Sequence, residues 1–475
     1  MDIKQKISDW MDGHSKELLQ DLISLCRIRS VGAEPAENAP FGEGAAKALD
    51  AAMALCEKYG LAVCDHDRQV MTADMGGERV SERVLDILAH LDVVEEGKGW
   101  DTDPYDPVIR DDGCIYGRGV ADDKGGAVAA LYAMRCVREL GLPLSRGCRL
   151  ILGTDEEQGS RDVAHYYKTE KPAPYTFSPD AEFPVCNAEK GFYRLRFRKS
   201  WEAESAVPRV SAIHAGNQIN VMPTEAYADV AGIVPLHLMA GASPLCAELG
   251  ASCRVEEIPG GARLTVVGRG CHASTPELGI NPNTALIRVL CELPMAECES
   301  TRALRVLDRL LPHGDFLGKS LGIAQEDDVT GALTCVLTKI DLTDTGLEGL
   351  CDCRVPLCAT AENCKDVAHA ALAQYGFETA GMMVPPHYTP ADSPFVKTLL
   401  KGYETFTGKE GGCYSMGGGT YVHDVPGGVA FGVIMPGTDT RIHGANERIP
   451  VADLITAAKI FAWVIAALCA EETNE

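Results

Sequence analysis

The sequence predicts an α/β fold: a mixed central sheet flanked by helices, with a second, α+β domain inserted into it. Two observations predict this. Between residues 84 and 157, short apolar runs typical of buried strands alternate with a helical pattern, and polar residues follow each strand. After Lys190-Gly191, apolar residues alternate with arginine, as in a half-buried antiparallel strand. At 475 residues the chain is long for one core. We therefore predict a discontinuous domain, residues 1–192 and 387–475, interrupted by an inserted domain, residues 193–386.

Individual elements are predicted from the spacing of apolar residues. In the first domain these are an amphipathic helix with apolar positions from Trp10 to Ile28, a strand Val84–Ala89, a helix Gly125–Leu140 and a strand Leu150–Gly153. In the inserted domain they are strands over Phe192–Phe197, Arg263–Val267 and Leu333–Ile340. Ligands of open α/β sheets bind at the carboxyl ends of strands. Polar residues at those ends are therefore the candidates for a functional site.

Composition limits the partners and the location. The formal net charge of −24 argues against nucleic acid and anionic membranes as partners. Nineteen scattered cysteines, with no Cys-x-x-Cys pair, predict reduced thiols in a cytosolic protein. Residues 1–20 contain no apolar run of the kind found in signal peptides. The apolar stretch Ile460–Ala470 is shorter than the roughly 20 residues of a membrane span, and it predicts a buried face of the last helix. We predict a cytoplasmic protein with no membrane partner.

Two histidines and several carboxylates follow one another at predicted strand ends and in glycine-rich loops. The candidates are His90, Asp92, Asp122, Glu156, Glu157, Asp180 and His443. Each alone has an ordinary explanation: Asp122 is consistent with a turn, and the pair Glu156-Glu157 with the first turn of a helix. Histidine nitrogens and carboxylate oxygens together are the ligands that zinc and similar divalent cations prefer. The combination predicts a site for two divalent cations, with zinc favoured and manganese or cobalt as alternatives.

A two-cation hydrolytic site needs a bridging carboxylate, further ligands for each ion and a base for water. Asp122 suits the bridge, His90 with Asp180 completes one ion, and Glu157 with His443 completes the other. That assignment leaves Glu156 as the general base. Asp92, two residues after His90, is predicted to orient the histidine ring.

The ordered motifs resemble those of the dinuclear-zinc exopeptidase and deacylase family, which includes PepV-type dipeptidases, carnosinases, carboxypeptidase G and acetylornithine deacetylase. The resemblance rests on His90-x-Asp92, Gly117-Arg-Gly-x-x-Asp122-Asp-Lys-Gly-Gly126, Asp155-Glu-Glu-x-Gly-Ser160, Ser178-Pro-Asp180 and His443-Gly-x-x-Glu447. It covers about residues 15 to 470. It implies a zinc-exopeptidase-like catalytic domain with an inserted lid domain, the metal and base roles given above, and a cis peptide bond between Asp122 and Asp123. Within this family the chain looks most like the PepV-type Xaa-Xaa dipeptidases.

The inserted segment carries further resemblances. His272, in Gly268-Arg-Gly-Cys-His272, resembles the family's lid histidine, which stabilises the oxyanion. Asn217 resembles a substrate-contacting asparagine, and Arg354 resembles the arginine that binds the substrate's terminal carboxylate. The backbone of Gly419 and Thr420 is expected near the same carboxylate. The chain departs from the family's motifs at two places. Asn281-Pro-Asn replaces the usual Asn-Ala-Ala, so the start of that helix is expected to differ. Tyr421-Val-His423 replaces Tyr-Ala-Arg, which is expected to change a positive contact near the substrate and so the specificity.

Several functions remain open from the sequence. A metallo-dipeptidase acting on free dipeptides is favoured, and the large insert implies a monomer by resemblance. The alternative within the family is an N-acyl amino-acid deacylase. In a dipeptidase, Asp92 or nearby acids are expected to hold the free amino group of the substrate, whereas a deacylase needs no residue for this purpose. A non-catalytic relative would lack a metal ligand or the general base, and this sequence has a candidate residue for each of these positions. A nucleotide-binding protein is disfavoured, because Gly117-Arg-Gly119 lacks the third glycine of the dinucleotide fingerprint.

Overall fold

The computed structural model describes residues 2–75 and 82–470, and the chain divides into two compact units. The first comprises Met1–Ala188, Tyr388–Ser415 and Gly419–Glu475. The second comprises Glu189–His387 together with Met416–Gly418. Along the chain, most of the second unit is therefore inserted between two segments of the first.

The first unit is built on a mixed sheet. Strand Glu82–His90 lies between Arg146–Gly153 and Tyr175–Ser178 and runs parallel to both. Its residues from Val84 to His90 are all buried, as expected of a parallel strand covered on both faces. Arg146–Gly153 pairs antiparallel with the next strand outward. The strand order is Ala62–His66, Val70–Met75, Arg146–Gly153, Glu82–His90, Tyr175–Ser178, Val429–Ala430 and Val185–Glu189, and further short strands are Ala181–Glu182, His387–Tyr388, Cys413–Met416 and Val433–Ile434.

Helices cover this sheet. Helix Lys124–Glu139, which is buried along most of its length, packs against Val451–Cys469 and Ile3–Cys26. The opening helix ends before Ile28, so the predicted apolar pattern runs two residues too far. The helices are Ile3–Cys26, Glu43–Lys58, Lys124–Glu139, Arg161–Tyr166, Pro394–Thr407 and Val451–Cys469, with 3-10 turns at Glu156–Gln158 and Tyr421–Asp424.

The last helix, Val451–Cys469, is long and apolar enough to cross a membrane by length and composition alone. In the structure it packs against Lys124–Glu139 and Pro394–Thr407, and Ile460, Phe461 and Val464 are fully buried. A core helix satisfies the same criteria as a membrane span. The prediction that Ile460–Ala470 contributes a buried helix face is confirmed.

A small antiparallel sheet joins two distant segments of the first unit. Arg448–Pro450 pairs with Cys114–Tyr116, which also pairs with Val108–Ile109. Tyr116 lies opposite Arg448. Because His443 precedes one of these strands and Asp122 follows another, the sheet brings the loops that carry them to the same end of the unit.

The second unit is an antiparallel sheet with helices packed on one face. In strand Gly191–Ser200, Tyr193, Leu195 and Phe197 are buried, while Arg194 is half-buried and Arg196 and Arg198 are exposed, as the alternation predicts. The strand order is Ser252–Ile258, Gly261–Val267, Glu225–Ala231, Arg209–Ala215, Thr334–Thr343, Gly346–Val355, Gly191–Ser200 and Glu378–Ala380, and Met383–Val384 also pairs with Gly191–Ser200. Its short strands are Val221–Met222, Cys271–His272, Glu326–Asp327 and Gly331–Ala332.

The helices of the second unit are Pro235–Glu248, Pro282–Glu292, Glu299–Leu310 and Asp366–Ala373, with short turns at Pro276–Leu278 and Ala361–Lys365. The departure at Asn281-Pro-Asn makes an ordinary helix start. The Asn281 side chain accepts a hydrogen bond from the Asn283 backbone N–H at 3.0 Å, and Pro282 occupies the first turn. The two units together confirm the predicted fold class: a mixed α/β domain with an inserted α+β domain.

Candidate metal centre

The candidate metal ligands lie at the carboxyl ends of neighbouring parallel strands. His90 ends strand Glu82–His90, and Glu157 lies in the 3-10 turn that follows strand Arg146–Gly153. Asp180 follows strand Tyr175–Ser178 by two residues. Parallel strands end at one edge of a sheet, so residues far apart in sequence meet there. Asp122 lies two residues before the start of helix Lys124–Glu139, and His443 lies in the loop before Arg448–Pro450.

These residues form two groups that share Asp122. His90, Asp122 and Asp180 form one group, and Asp122, Glu157 and His443 form the other; in each, one potential ligand atom per residue lies within 4.8 Å of the others. Within residues 2–75 and 82–470, these are the two groups of three or more histidine, cysteine or carboxylate side chains close enough to hold a metal ion.

Asp122 presents a different oxygen to each histidine. Its Oδ1 lies 3.0 Å from His90 Nε2, and its Oδ2 lies 3.0 Å from His443 Nε2. His90 Nε2 is also 3.8 Å from Asp180 Oδ2, and His443 Nε2 is 3.3 Å from Glu157 Oε1. Asp122 therefore occupies the middle of the arrangement, with one oxygen directed to each group.

Glu156 belongs to neither group, although its neighbour Glu157 does. Both residues lie in the turn Glu156–Gln158, whose backbone is held by Asp92. The Asp92 carboxylate accepts hydrogen bonds from the backbone N–H groups of Glu156 at 3.2 Å and Glu157 at 3.1 Å. The turn thus directs two adjacent glutamates to different positions.

Asp92 contacts both the His90 ring and the Glu156–Glu157 turn. His90 Nδ1 lies 3.0 Å from the backbone oxygen of Asp92 and 3.5 Å from its carboxylate. The backbone of Asp92 therefore makes the shorter contact with the ring, while both carboxylate oxygens hold the Glu156–Glu157 turn. Asp92 is 1% exposed, and its carboxylate already accepts two backbone N–H groups. The expectation that Asp92 or nearby acids hold a substrate amine stays a prediction.

Three buried residues near the site were assigned no role from the sequence, although all three lie in the quoted motifs. Glu447 and Arg118 form an ion pair of 2.7 Å in which both side chains are at most 1% exposed. Asp123 is also buried and accepts the backbone N–H of His90 at 3.3 Å. The peptide bond between Asp122 and Asp123 is cis, as the resemblance implies. A charged residue between two glycines of a quoted motif is the sequence signal that could have drawn attention to Arg118.

Burial and repulsion between neighbouring carboxylates raise the pKa values of acids in this site. Burial raises the pKa of Glu156 well above its usual range, and the neighbouring Asp180 and Glu157 carboxylates add to this. Burial raises the pKa of Asp180 well above its usual range too, with Asp122 contributing. Hydrogen bonds to Asp122 and Glu157 raise the pKa of His443 to about 11. Raised pKa values mean that these side chains hold protons more readily than usual. Added positive charge would therefore stabilise this group of carboxylates.

The donor set fits divalent cations. Each group offers one histidine nitrogen and oxygens from two carboxylates, a combination suited to zinc, manganese or cobalt. Burial alone would lower the pKa of His90, but its contacts with Asp122 and Asp92 outweigh burial and raise it well above its usual range. Cations would supply the same compensating charge and take neutral histidines as ligands.

The predicted substrate residues of the second unit lie in separate loops and strands. Asn217 is exposed, in the turn after strand Arg209–Ala215. Arg354 is 5% exposed near the end of strand Gly346–Val355. Its Nε donates to Asp352 Oδ1 at 2.7 Å and its Nη1 to the backbone oxygen of Gly417 at 2.8 Å. The guanidinium is therefore fixed in orientation by groups of its own unit.

His272 is exposed and its ring is held by its own loop. The backbone N–H of Ser274 donates to His272 Nδ1 at 3.2 Å, and the Ser274 hydroxyl lies 2.6 Å from the same nitrogen. On the other side of the ring, Asn220 Nδ2 lies 3.4 Å from His272 Nε2. Both ring nitrogens of His272 therefore have polar neighbours within the second unit.

Of the glycine-rich loop, Gly419 is exposed and Thr420 is buried. Thr420 Oγ1 accepts a 3.4 Å hydrogen bond from the Val422 N–H at the start of turn Tyr421–Asp424. The Tyr421 ring contacts His90 edge-on, with ring centroids 6.2 Å apart. This loop therefore supports the ring of one candidate ligand.

A mixed α/β sheet with metal-ligand groups at its parallel strand ends defines the class: a metal-binding hydrolase. The chain belongs to peptidase family M20/M25/M40, whose model matches residues 87–467. This confirms the family resemblance and the assignment of the chain as a peptide hydrolase.

Similar proteins agree with this assignment. The Bacillus subtilis (strain 168) protein named "Putative dipeptidase YtjP" is 33% identical over 456 residues, covering 95% of this chain and 96% of that protein. The structure of human carnosine dipeptidase 1 has a TM-score of 0.60 at 17% identity, covering 99% of both chains. The Bacillus subtilis YXEP protein, titled a dinuclear metal binding peptidase, has a TM-score of 0.50 at 11% identity, covering 96% of this chain and 99% of that chain. The two solved structures show similarity of fold.

Proposed function

We propose that this protein is a metal-dependent dipeptidase that hydrolyses dipeptides with free amino and carboxyl termini. The observation that carries the proposal is the position of Asp122 between two histidines, with Glu156 outside both groups. One cation is assigned to His90, Asp122 and Asp180, and the other to Asp122, Glu157 and His443.

The assigned chemistry is general-base hydrolysis. When bound, two such cations supply Lewis acidity, which acidifies a water molecule and polarises the scissile carbonyl. Glu156 accepts the proton of the attacking water and delivers it to the leaving amine. Burial raises the pKa of Glu156, which favours proton acceptance by its carboxylate. Asp92 keeps Glu156 in place through the backbone of the turn.

In the second unit, His272 is assigned to the oxyanion, to which it would donate a hydrogen bond. Arg354 is assigned to the substrate carboxylate, because a planar guanidinium binds a carboxylate with two parallel hydrogen bonds. Asn217 and the backbone of Gly419 and Thr420 are assigned to further substrate contacts. The cytoplasmic location and the monomeric state remain predictions of the sequence.

Hydrolysis of a substrate panel tests the proposal. Ala-Ala, β-Ala-His, a tripeptide and an N-acetyl amino acid are incubated with the protein as purified, after chelation, and after zinc or manganese is restored. We expect cleavage of the dipeptides alone, lost on chelation and regained with metal. Cleavage that survives complete removal of metal would contradict the proposed chemistry.

The second candidate function is an N-acyl amino-acid deacylase. The placement of Asp92 is consistent with it, because this residue, one of the acids expected to bind a substrate amine, is buried and already accepts two backbone N–H groups. Cleavage of the acetylated substrate alone would retain the metal chemistry and assign the protein to the deacylases.

Replacing His272 with alanine is expected to lower kcat by about 100-fold to 1,000-fold with little change in KM. An oxyanion donor acts mainly in the transition state, so its loss affects turnover more than substrate binding. Steady-state kinetics on a dipeptide measures both parameters. His237→Ala, which removes another exposed histidine of the same unit, is the matched control and should change neither. A change confined to KM would contradict the assigned role.

Replacing Arg354 with methionine is expected to reduce kcat/KM for a free dipeptide at least about tenfold more than for its C-terminal amide. Comparing two substrates in one preparation removes any effect of a smaller folded fraction, which matters because Asp352 is left buried without its partner. Arg254→Met, in an exposed ion pair with Glu225, is the control. Equal losses on both substrates would exclude a carboxylate-binding role.

A further inference from the structure

We propose that the buried ion pair between Arg118 and Glu447 is a positioning device that holds Asp122 and His443 at the spacing one cation requires. Neither side chain belongs to the candidate ligand groups. The inference rests on the proposed function, because it assigns a cation to Asp122, Glu157 and His443.

Glu447 fixes the backbone that carries Asp122. Its Oε1 accepts hydrogen bonds from the backbone N–H groups of Gly119 at 3.0 Å, Ala121 at 3.0 Å and Asp122 at 3.2 Å. The Glu447 carboxylate is fully buried, so water does not compete for these donors. Three N–H groups converging on one charged oxygen determine the path of this loop.

Arg118 connects the same carboxylate to the loop that carries His443. Its Nη1 donates to Glu447 Oε2 at 2.7 Å. Its Nη2 donates to the backbone oxygens of Gly444 and Glu95, each at 3.2 Å. Gly444 directly follows His443, so the guanidinium holds the backbone next to that ligand.

The loop around His443 needs such support. His443 and Asn446 both have left-handed backbones, each with φ of 60°, which is uncommon and energetically unfavourable for residues other than glycine. The backbone N–H of Gly117 donates to the backbone oxygen of Glu447 at 3.0 Å and adds a second link between the two loops. Contacts with Arg118 and Glu447 therefore compensate for an unfavourable local conformation.

The two cation groups depend on this device unequally. Asp122 and His443, two of the three ligands in one group, lie on the segments it joins. In the other group only Asp122 lies on a segment joined by the ion pair. His90 is the last residue of one sheet strand, and Asp180 lies two residues after another. Loss of the device is therefore expected to weaken the cation at Asp122, Glu157 and His443 much more than the cation at His90, Asp122 and Asp180.

A pair of double variants separates positioning from stability. Arg118→Met/Glu447→Leu removes the ion pair and the acceptor for the three N–H groups. Arg118→Met/Glu447→Gln removes the ion pair but retains a side-chain oxygen as acceptor. Neither leaves an unpaired buried charge, and replacing buried ion pairs by apolar residues is often tolerated. His443→Ala gives the pattern expected when one cation group alone is damaged.

Zinc binding to the full-length protein is followed by titration calorimetry and by metal analysis after dialysis, alongside thermal unfolding. We expect Arg118→Met/Glu447→Leu to retain one cation and bind the second at least about tenfold more weakly, as in His443→Ala. Arg118→Met/Glu447→Gln should bind both more tightly than the leucine variant does. If the leucine variant is insoluble, Glu447→Asp, which keeps the charge but shortens the side chain, should show the same selective loss.

The outcomes are distinguishable. Unchanged affinity for both cations in the leucine variant, or equal weakening of both, would overturn the positioning role. So would equal affinities in the leucine and glutamine variants. Fewer than two cations in the wild-type protein would instead contradict the proposed function.

Discussion

Replacing Glu156 with glutamine is expected to lower kcat by about 100-fold to 10,000-fold while both cations stay bound. The substitution keeps the size of the side chain and removes its ability to accept a proton. Cation binding should persist, because Glu156 lies outside both ligand groups. The ligand Glu157 is still fixed through its backbone N–H, which donates to Asp92 at 3.1 Å.

The measurement combines dipeptide turnover with metal analysis of the same protein samples. Gln158→Ala is the matched control, since Gln158 lies in the same 3-10 turn and is exposed. It should retain both activity and metal. Activity of Glu156→Gln above a hundredth of the wild-type value would exclude Glu156 as the base. Loss of a cation would make it a ligand instead.

Replacing Asp122 with alanine is expected to weaken both cations by at least about 100-fold and to abolish activity. At metal sites, removing a residue that hydrogen-bonds to a ligand already weakens metal binding about 10-fold to 100-fold. Removing a ligand shared by both cations should weaken binding more. Each oxygen of Asp122 contacts the histidine of a different group, so one substitution removes a ligand from both.

Two further variants serve as the comparison for Asp122→Ala. Asp180→Ala and His443→Ala each remove a ligand from one group only, so each should retain one cation. Metal titration in the presence of a competing chelator measures the number and affinity of the sites. Retention of one tight cation by Asp122→Ala would show that Asp122 does not bridge the two sites.

The fold class and the candidate ligands could be read from the sequence because both depend on local pattern. A run of buried apolar residues such as Val84–Ala89 predicts a strand without knowledge of its neighbours, and the structure extends it only to Glu82–His90. Ligands that follow strands of a parallel sheet converge because all such strands end at the same edge. His90, Glu157 and Asp180 are placed by that rule alone.

Asp92 shows what sequence reasoning misses. A carboxylate two residues after a candidate histidine ligand suggests contact with the histidine ring. In the structure the Asp92 carboxylate lies 3.5 Å from His90 Nδ1, and it also accepts N–H groups of residues 156 and 157, more than 60 positions away. Backbone donors leave no signature in side-chain composition, so this partner could not be predicted.

The sequence by itself determined the fold class, the family and the residue types of the metal centre, because apolar periodicity and ligand chemistry belong to individual segments. Only the tertiary structure decided which oxygen of Asp122 faces which histidine, and that Glu447 holds a loop 325 residues earlier in the chain. The physical reason is that burial removes water as a partner. A buried charge must then be satisfied by whichever donors the fold brings near it, and these are distant in sequence.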